Sequence, residues 1–244
     1  MRRRAGQSTS RGSGRITGSI MLETVIALPV VLVLGLSITQ WALIHQARAM
    51  TDHATLMAAR AGALNHAQIA PMRNAFARAI VPMHLSTASA TGFETAFLTR
   101  AMPDARINLQ LNILNPTREA FSDHALRDHR GRRYLPFRNL ERASTRPGRQ
   151  SHINVQDATL LRVQAVYGYE LKVPYAGAFI LQAVRMATRW TKAFGARERV
   201  MIASGRLPIV TTATVRMQTR AFSGRQFPLR SDLPGVAREP LNSD

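Results

Sequence analysis

The sequence predicts an α+β protein: an N-terminal membrane-spanning α-helix followed by a small antiparallel sheet with packed helices. Three observations predict it. A run of 21 residues without a charge, Thr24–Ile44, lies near the N-terminus. Beyond it the apolar positions recur at helical spacing and then switch to strict alternation in three separate stretches. The chain has 244 residues, of which 45% are hydrophobic, enough to bury one core of ordinary size and leave a segment over.

The first element is a basic leader. Residues 1–18 carry Arg2, Arg3, Arg4, Arg11 and Arg15 and no acid, and with almost nothing to bury they are expected to stay flexible. The apolar run follows. As a helix its 21 residues extend about 32 Å, matching a hydrocarbon core of roughly 30 Å. This is longer than the 7–15 residues typical of the apolar region of a cleaved secretory signal. It is also long for a buried core helix with no charge in it. Trp41 stands near the far end, where an indole prefers the interface, and the leader arginines place the N-terminus in the cytoplasm.

Glu23 is the only ionisable group between Arg15 and His45. A carboxylate at the edge of a span needs a reason; one is the favourable dipole of a helix N-terminus. Another lies in its spacing. Gly18, Ser19, Ile20, Met21, Leu22 and Glu23 follow the basic leader and open the apolar helix. This order resembles the processing motif of type IV prepilins and pseudopilins. The following run, Ala27-Leu28-Pro29 and aliphatics up to Gly35, resembles the TadE-like branch of the tight-adherence (Flp) pilus system. The resemblance implies cleavage by a prepilin peptidase between Gly18 and Ser19. Glu23 would then be fifth in the mature chain, able to neutralise a neighbour's new N-terminal ammonium. Glycine suits such a cut because its bare backbone enters a tight cleft. Pro29 and Gly35 are the positions where the span is expected to bend.

After the span the helix continues through Gln46–Leu64, rich in Ala and Met, with Gly62 as its expected terminator. Small residues at Ala42, Ala49, Ala54, Ala58 and Ala59 permit close helix–helix approach. Residues 66–81 read as a second, short helix, with Pro71 in its first half and Pro82 stopping it. Ile107, Leu109, Leu111 and Ile113 alternate with Asn108, Gln110 and Asn112, a half-buried strand ended by Asn115-Pro116. Leu161, Val163, Ala165, Tyr167, Tyr169, Leu171 and Val173 form a longer alternation, and Ile209–Met217 a third, so an antiparallel sheet with one wet face is expected. Between them Phe179, Ala183, Ala187, Trp190 and Phe194 recur at helical spacing, with Arg185, Arg189 and Lys192 on the other side. Such a stripe packs on a sheet or, in a basic helix, lies on an anionic membrane; the sequence leaves both open. The stretches 111–121, 153–174 and 206–219 also resemble the outer part of TadE-like proteins. The expected organisation is therefore a leader at 1–18, a transmembrane and continuing helix at 19–64, a periplasmic α+β domain at 65–220 and a flexible tail at 221–244.

Composition narrows the chemistry. Of 33 basic residues only Lys172 and Lys192 are lysines, against 14 acids, and the net charge is +19. There is no cysteine, which excludes disulfides, thiol catalysis and cysteine-ligated metals. No phosphate loop, nucleophile elbow, dinucleotide fingerprint or metalloprotease motif occurs. Asp123, His124, Asp128 and His129 are suitable metal-ligand types, but Arg127, Arg130, Arg132 and Arg133 crowd the same loop and oppose a cation. No metal, catalytic residue or cofactor is expected. The arginine-rich segment 127–149 offers the alternative of a membrane-anchored basic module binding nucleic acid or lipid. Six per cent aromatic residues give such a module little to stack bases on, and nucleic acid is not the expected partner.

The resemblance implies a non-catalytic, pilin-like minor pseudopilin of Flp pilus assembly. Its partners would be a prepilin peptidase, other pseudopilins and the Flp pilin, assembly platform proteins and membrane lipid. It would lie in the inner membrane as a single-pass protein, N-terminus cytoplasmic and C-terminal domain periplasmic, in reach of the pilus.

Overall fold

A run with proline only at Pro29 and an abundance of Ala, Leu and Met has no local reason to break, and α1 spans Gly14–Leu64. The computed structural model describes residues 14–85, 92–173, 176–190 and 195–233. The leader up to Ser13, Lys192 and Phe194, and the tail from Pro234 lie outside the described residues.

The C-terminal half of α1 buries Ala47, Thr51, Ala54, Thr55, Ala58, Ala59 and Ala63, a stripe of small side chains at helical spacing. Its two threonines return their hydroxyls to the carbonyls of Ala47 and Thr51, so neither hydroxyl is orphaned. Ala42 and Ala49, by contrast, face outward. The helix does not end at Gly62. His66 and Ala67 take left-handed φ of 56° and 58°, and the Ala67 N–H closes on the Gly62 carbonyl at 2.8 Å. Gly62 has another reason to be glycine: a Cβ there would stand 2.9 Å from both Leu161 Cδ2 and Met72 Sδ.

Next comes α2, Ile69–His84. Pro71 sits in its first turn, where the missing N–H has no partner anyway. Pro82 is inside the helix rather than its stop. Only two residues follow before the Leu85 N–H caps the Val81 carbonyl at 3.2 Å, so the ring interrupts little. The face of Met72, Phe76, Ala77, Ile80 and Val81 is buried.

A helical stretch follows as α3 (Phe93–Ala96), a π-turn (Phe97–Ala101) and α4 (Met102–Asn108). Ile107 belongs to α4 and is 77% exposed, so the expected strand starts two residues later, as β1 (Leu109–Asn115). The chain continues through α5 (Arg118–His124), β2 (Leu126–Arg127), β3 (Arg133–Leu135) and α6 (Val155–Ala158). Then come β4 (Leu160–Glu170), α7 (Ala176–Trp190), α8 (Ala196–Ala203), β5 (Arg206–Arg216) and β6 (Ala221–Phe222).

The expected sheet is present. Its order is β1-β4-β5, antiparallel throughout, with Leu111 opposite Ala165 and Ala165 opposite Thr211. One face lies on α1, where the hydroxyls of Thr55 and Thr211 meet at 2.6 Å. The fold is α+β, as expected.

Further differences follow. A second antiparallel sheet, β2-β3-β6, was not foreseen. β4 ends at Glu170, so Leu171 and Val173 lie past it; the Val173 N–H turns to Gln40 instead of a strand. The chain from Ala221 is not a tail throughout: β6 pairs with β3, and Phe227 is buried against Phe121 at a ring separation of 4.8 Å. Finally, α7 packs on α1 and α8, and its Phe179–Ala183–Ala187 stripe faces away from the protein.

Candidate functional site

The apolar helix comes first. α1 is long and apolar enough to cross a bilayer, and only 6% of its most apolar 18-residue window is buried in the molecule. A core helix of a soluble protein would be covered there. Glu23 is exposed, as is every residue from Thr24 to Gly35. The hydroxyls in this region are satisfied within the helix, Ser37 on the Val33 carbonyl at 2.7 Å and Thr39 on the Gly35 carbonyl at 2.9 Å. Such bonds suit a medium that offers no water. α1 continues helical through Pro29, and a Cβ at Gly35 would meet nothing within 4 Å. Gly18 and Ser19 belong to the helical backbone, in the second turn of α1.

Among the described side chains, α1 first becomes partly covered at Leu36 and Ser37. At Gln40 the contact is complete: its side chain is fully buried and its Oε1 accepts the Val173 N–H at 2.9 Å. This bond fixes the β4–α7 connection to α1. At the next residue, Trp41 stacks edge-on with His45 at 5.2 Å.

A polar cluster that the sequence did not single out locks the domain above this junction. Asp104 accepts the Tyr167 hydroxyl at 2.5 Å and the Asn108 amide at 2.8 Å, and pairs with Arg206 at 3.0 Å. His84 Nε2 lies 3.7 Å from the same carboxylate. Burial, then the Asp104 charge, push the Tyr167 phenol well above its ordinary range. Desolvation pulls His84 down against the attraction of Asp104, with the cations Lys172, Arg206 and Arg100 adding to the drop. The only signal in the sequence was Tyr167 itself, a hydroxyl on a buried alternating face that needs a partner.

The four metal-type residues do not form one donor set. Asp123 accepts the Ser151 N–H at 2.7 Å, its hydroxyl at 2.8 Å and the Gln150 N–H at 3.0 Å. Desolvation would raise this carboxyl, but those donors outweigh it and hold it below the usual range. His124 bonds the Ile153 carbonyl at 2.9 Å. Asp128 is engaged by His129 at 2.6 Å, Arg132 at 3.2 Å and Arg220 at 3.5 Å. Asp123 and His124 therefore pin the loop 148–153, and Asp128 is neutralised by arginine. The arginines of this region also act as clamps. Arg118 donates to the carbonyls of Phe227 and Arg225, Arg230 to that of Ser151, and Arg132 and Arg220 lie over the rings of Phe222 and Tyr134.

Helix and domain together define a class: a small α+β domain carried on one long N-terminal apolar helix. Residues 18–60 match the family model described as TadE-like protein, which associates that segment with the Tad pilus system. The match takes in Gly18, Ser19, Glu23, Pro29 and Gly35 and ends inside α1; the outer stretches at 111–121, 153–174 and 206–219 lie beyond it. No curated protein and no solved structure matches the chain.

Proposed function

We propose that this protein is a TadE-like minor pseudopilin, a non-catalytic component of Flp pilus assembly that a prepilin peptidase matures after Gly18. The observation that carries the reading is one order of features inside the matched segment 18–60: glycine, four residues, Glu23, then a bare apolar helix. In this reading residues 1–18 stay in the cytoplasm and α1 crosses the inner membrane from about Ser19. The domain from residue 65 onward stands in the periplasm. Cutting after Gly18 removes the five leader arginines and creates an ammonium on Ser19. Within lipid that ammonium and the exposed Glu23 carboxylate each need an opposite charge. Adjacent copies, or a neighbouring pseudopilin or pilin, supply it when their helices pack side by side. The outer domain then presents a surface to the assembly platform.

The bond to be cut lies in the second turn of α1, so the peptidase must open that turn, which sits near the fraying end of a helix. Mass spectrometry of the protein co-expressed with a prepilin peptidase tests the reading. The expected N-terminus is Ser19, and Gly18→Ala is expected to leave the chain uncut. A different N-terminus, or equal cutting of the alanine variant, overturns it.

A further inference from the structure

We infer that α7 is an interfacial membrane helix: its outward apolar stripe lies in the outer headgroup boundary of the bilayer that α1 crosses. The inference rests on the reading of α1 as a span and adds a second membrane contact to it.

The stripe is the first observation. Phe179, Ala183, Met186 and Ala187 follow one another at i, i+4, i+7 and i+8, which places them on one side of a helix. Phe179 is 76% and Met186 56% exposed. The opposite side, with Ile180, Leu181, Val184 and Thr188, is partly buried against its neighbours. α7 contains no acid, and Arg185 reaches sideways to the Ile202 and Ala203 carbonyls of α8 at 3.3 Å. In α8, Val200 is 68% exposed, beside the exposed Arg197 and Arg199.

Depth is the second observation, and it names the occupant. Counted from Ser19, where the span is read to begin, a hydrocarbon core of about 30 Å takes up about 20 residues of helix and ends near Ile38. The uncharged run goes on to Ile44, but the domain already covers α1 at Leu36, Ser37 and Gln40. The elements docked there must therefore sit at the outer boundary of the lipid. Those elements are the β4–α7 connection, tied by the Val173–Gln40 bond, and α7 itself, which packs on α1. An apolar stripe at that level gains free energy by entering the acyl boundary, while arginines beside it reach the headgroup phosphates.

Because the chain has no cysteine, single cysteines can report position directly. The full-length protein is reconstituted in bilayers of phosphatidylcholine and phosphatidylglycerol. Nitroxide labels are placed at Val31, Phe179, Gln182 and Met186, all exposed sites. Collision with oxygen, which concentrates in lipid, is compared with collision with a water-soluble nickel chelate. At Phe179 and Met186 the oxygen-to-nickel ratio is expected to exceed that at Gln182 several-fold and to stay below that at the deeper Val31. Equal, nickel-dominated ratios at Phe179, Met186 and Gln182 overturn the inference while a lipid-exposed Val31 leaves the span intact. A Val31 label open to the nickel chelate overturns the span and this inference with it. Labels at Phe179 and Met186 shielded from both reagents, with spin–spin broadening between copies, overturn it in favour of contact with a second copy of this chain.

Discussion

Asp104 shows how one residue ties together elements far apart in sequence. It receives a hydroxyl from β4, an arginine from the start of β5 and the edge of an imidazole from the end of α2. The arrangement has a consequence for pH. His84 is held neutral because burial and three nearby cations, Lys172, Arg206 and Arg100, outweigh the attraction of Asp104. Its folded-state pKa lies below the unfolded value of 6.5. The unfolded chain therefore takes up a proton that the folded chain resists. The contribution to stability is full above the unfolded pKa and is lost as pH falls below it. Thermal unfolding of the detergent-solubilised protein is expected to show Tm dropping between about pH 7 and pH 5. His84→Gln, which keeps a polar side chain but cannot titrate, is expected to flatten that drop. A variant with the parent's full acid sensitivity would assign the effect to other groups.

At the scale of elements, the long alternations were legible because each carries its own evidence. Leu109, Leu111 and Ile113 in β1, and Leu161 to Tyr169 in β4, repeat every second residue, and burial on the sheet selects that period. The long apolar helix was legible for a similar reason, since length and absence of charge are local properties. The second sheet was not. Strands of two and three residues contain no period to read, and what fixes them is contact with distant arginines and aromatic rings, such as Arg132 over Phe222 at 4.2 Å. For α7 the spacing revealed a stripe but not what covers it, because that depends on where α1 meets the domain. Gly62 failed in the opposite way: a glycine near a helix end suggests a terminator, yet here it admits Leu161 and Met72, both fully buried. The prediction at this scale follows from that contact. Gly62→Ala adds a methyl where two core side chains have no room to retreat, and overpacking of this kind costs about 1–3 kcal/mol. Better helix propensity returns up to about 1 kcal/mol. The variant is expected to melt several degrees lower, and equal or higher stability in a melting experiment would show that Leu161 and Met72 can move.

The whole molecule is graded from a conventional core to a periphery held by arginine. Around α1, α2 and the first sheet, cohesion comes from buried Ala, Phe, Met, Ile and Val, with β4 paired on both edges. Around the second sheet Phe121, Leu135 and Phe227 are buried, but guanidinium groups that bind backbone carbonyls and lie on rings stand in for further apolar side chains. That substitution makes sense of a chain with only two lysines among 33 basic residues: a planar fork can stack and donate in several directions, whereas an ammonium is a hydrated point charge. The two regions should differ in how they open. Apolar burial opens only with global unfolding, while clamps exposed to water can release locally. Amide hydrogen exchange on the full chain is expected to leave Val163–Tyr167 of β4 protected near the global limit. Leu126–Leu135 should exchange by local opening, orders of magnitude faster. Arg118→Lys, which loses the fork holding the Phe227 and Arg225 carbonyls, is expected to speed exchange at β3 and β6 and leave β4 unchanged. If Arg118→Lys left exchange at β3 and β6 unchanged, or if both sheets exchanged together in the parent, the arginine clamps would not be a separate layer and the domain would unfold as one cooperative unit.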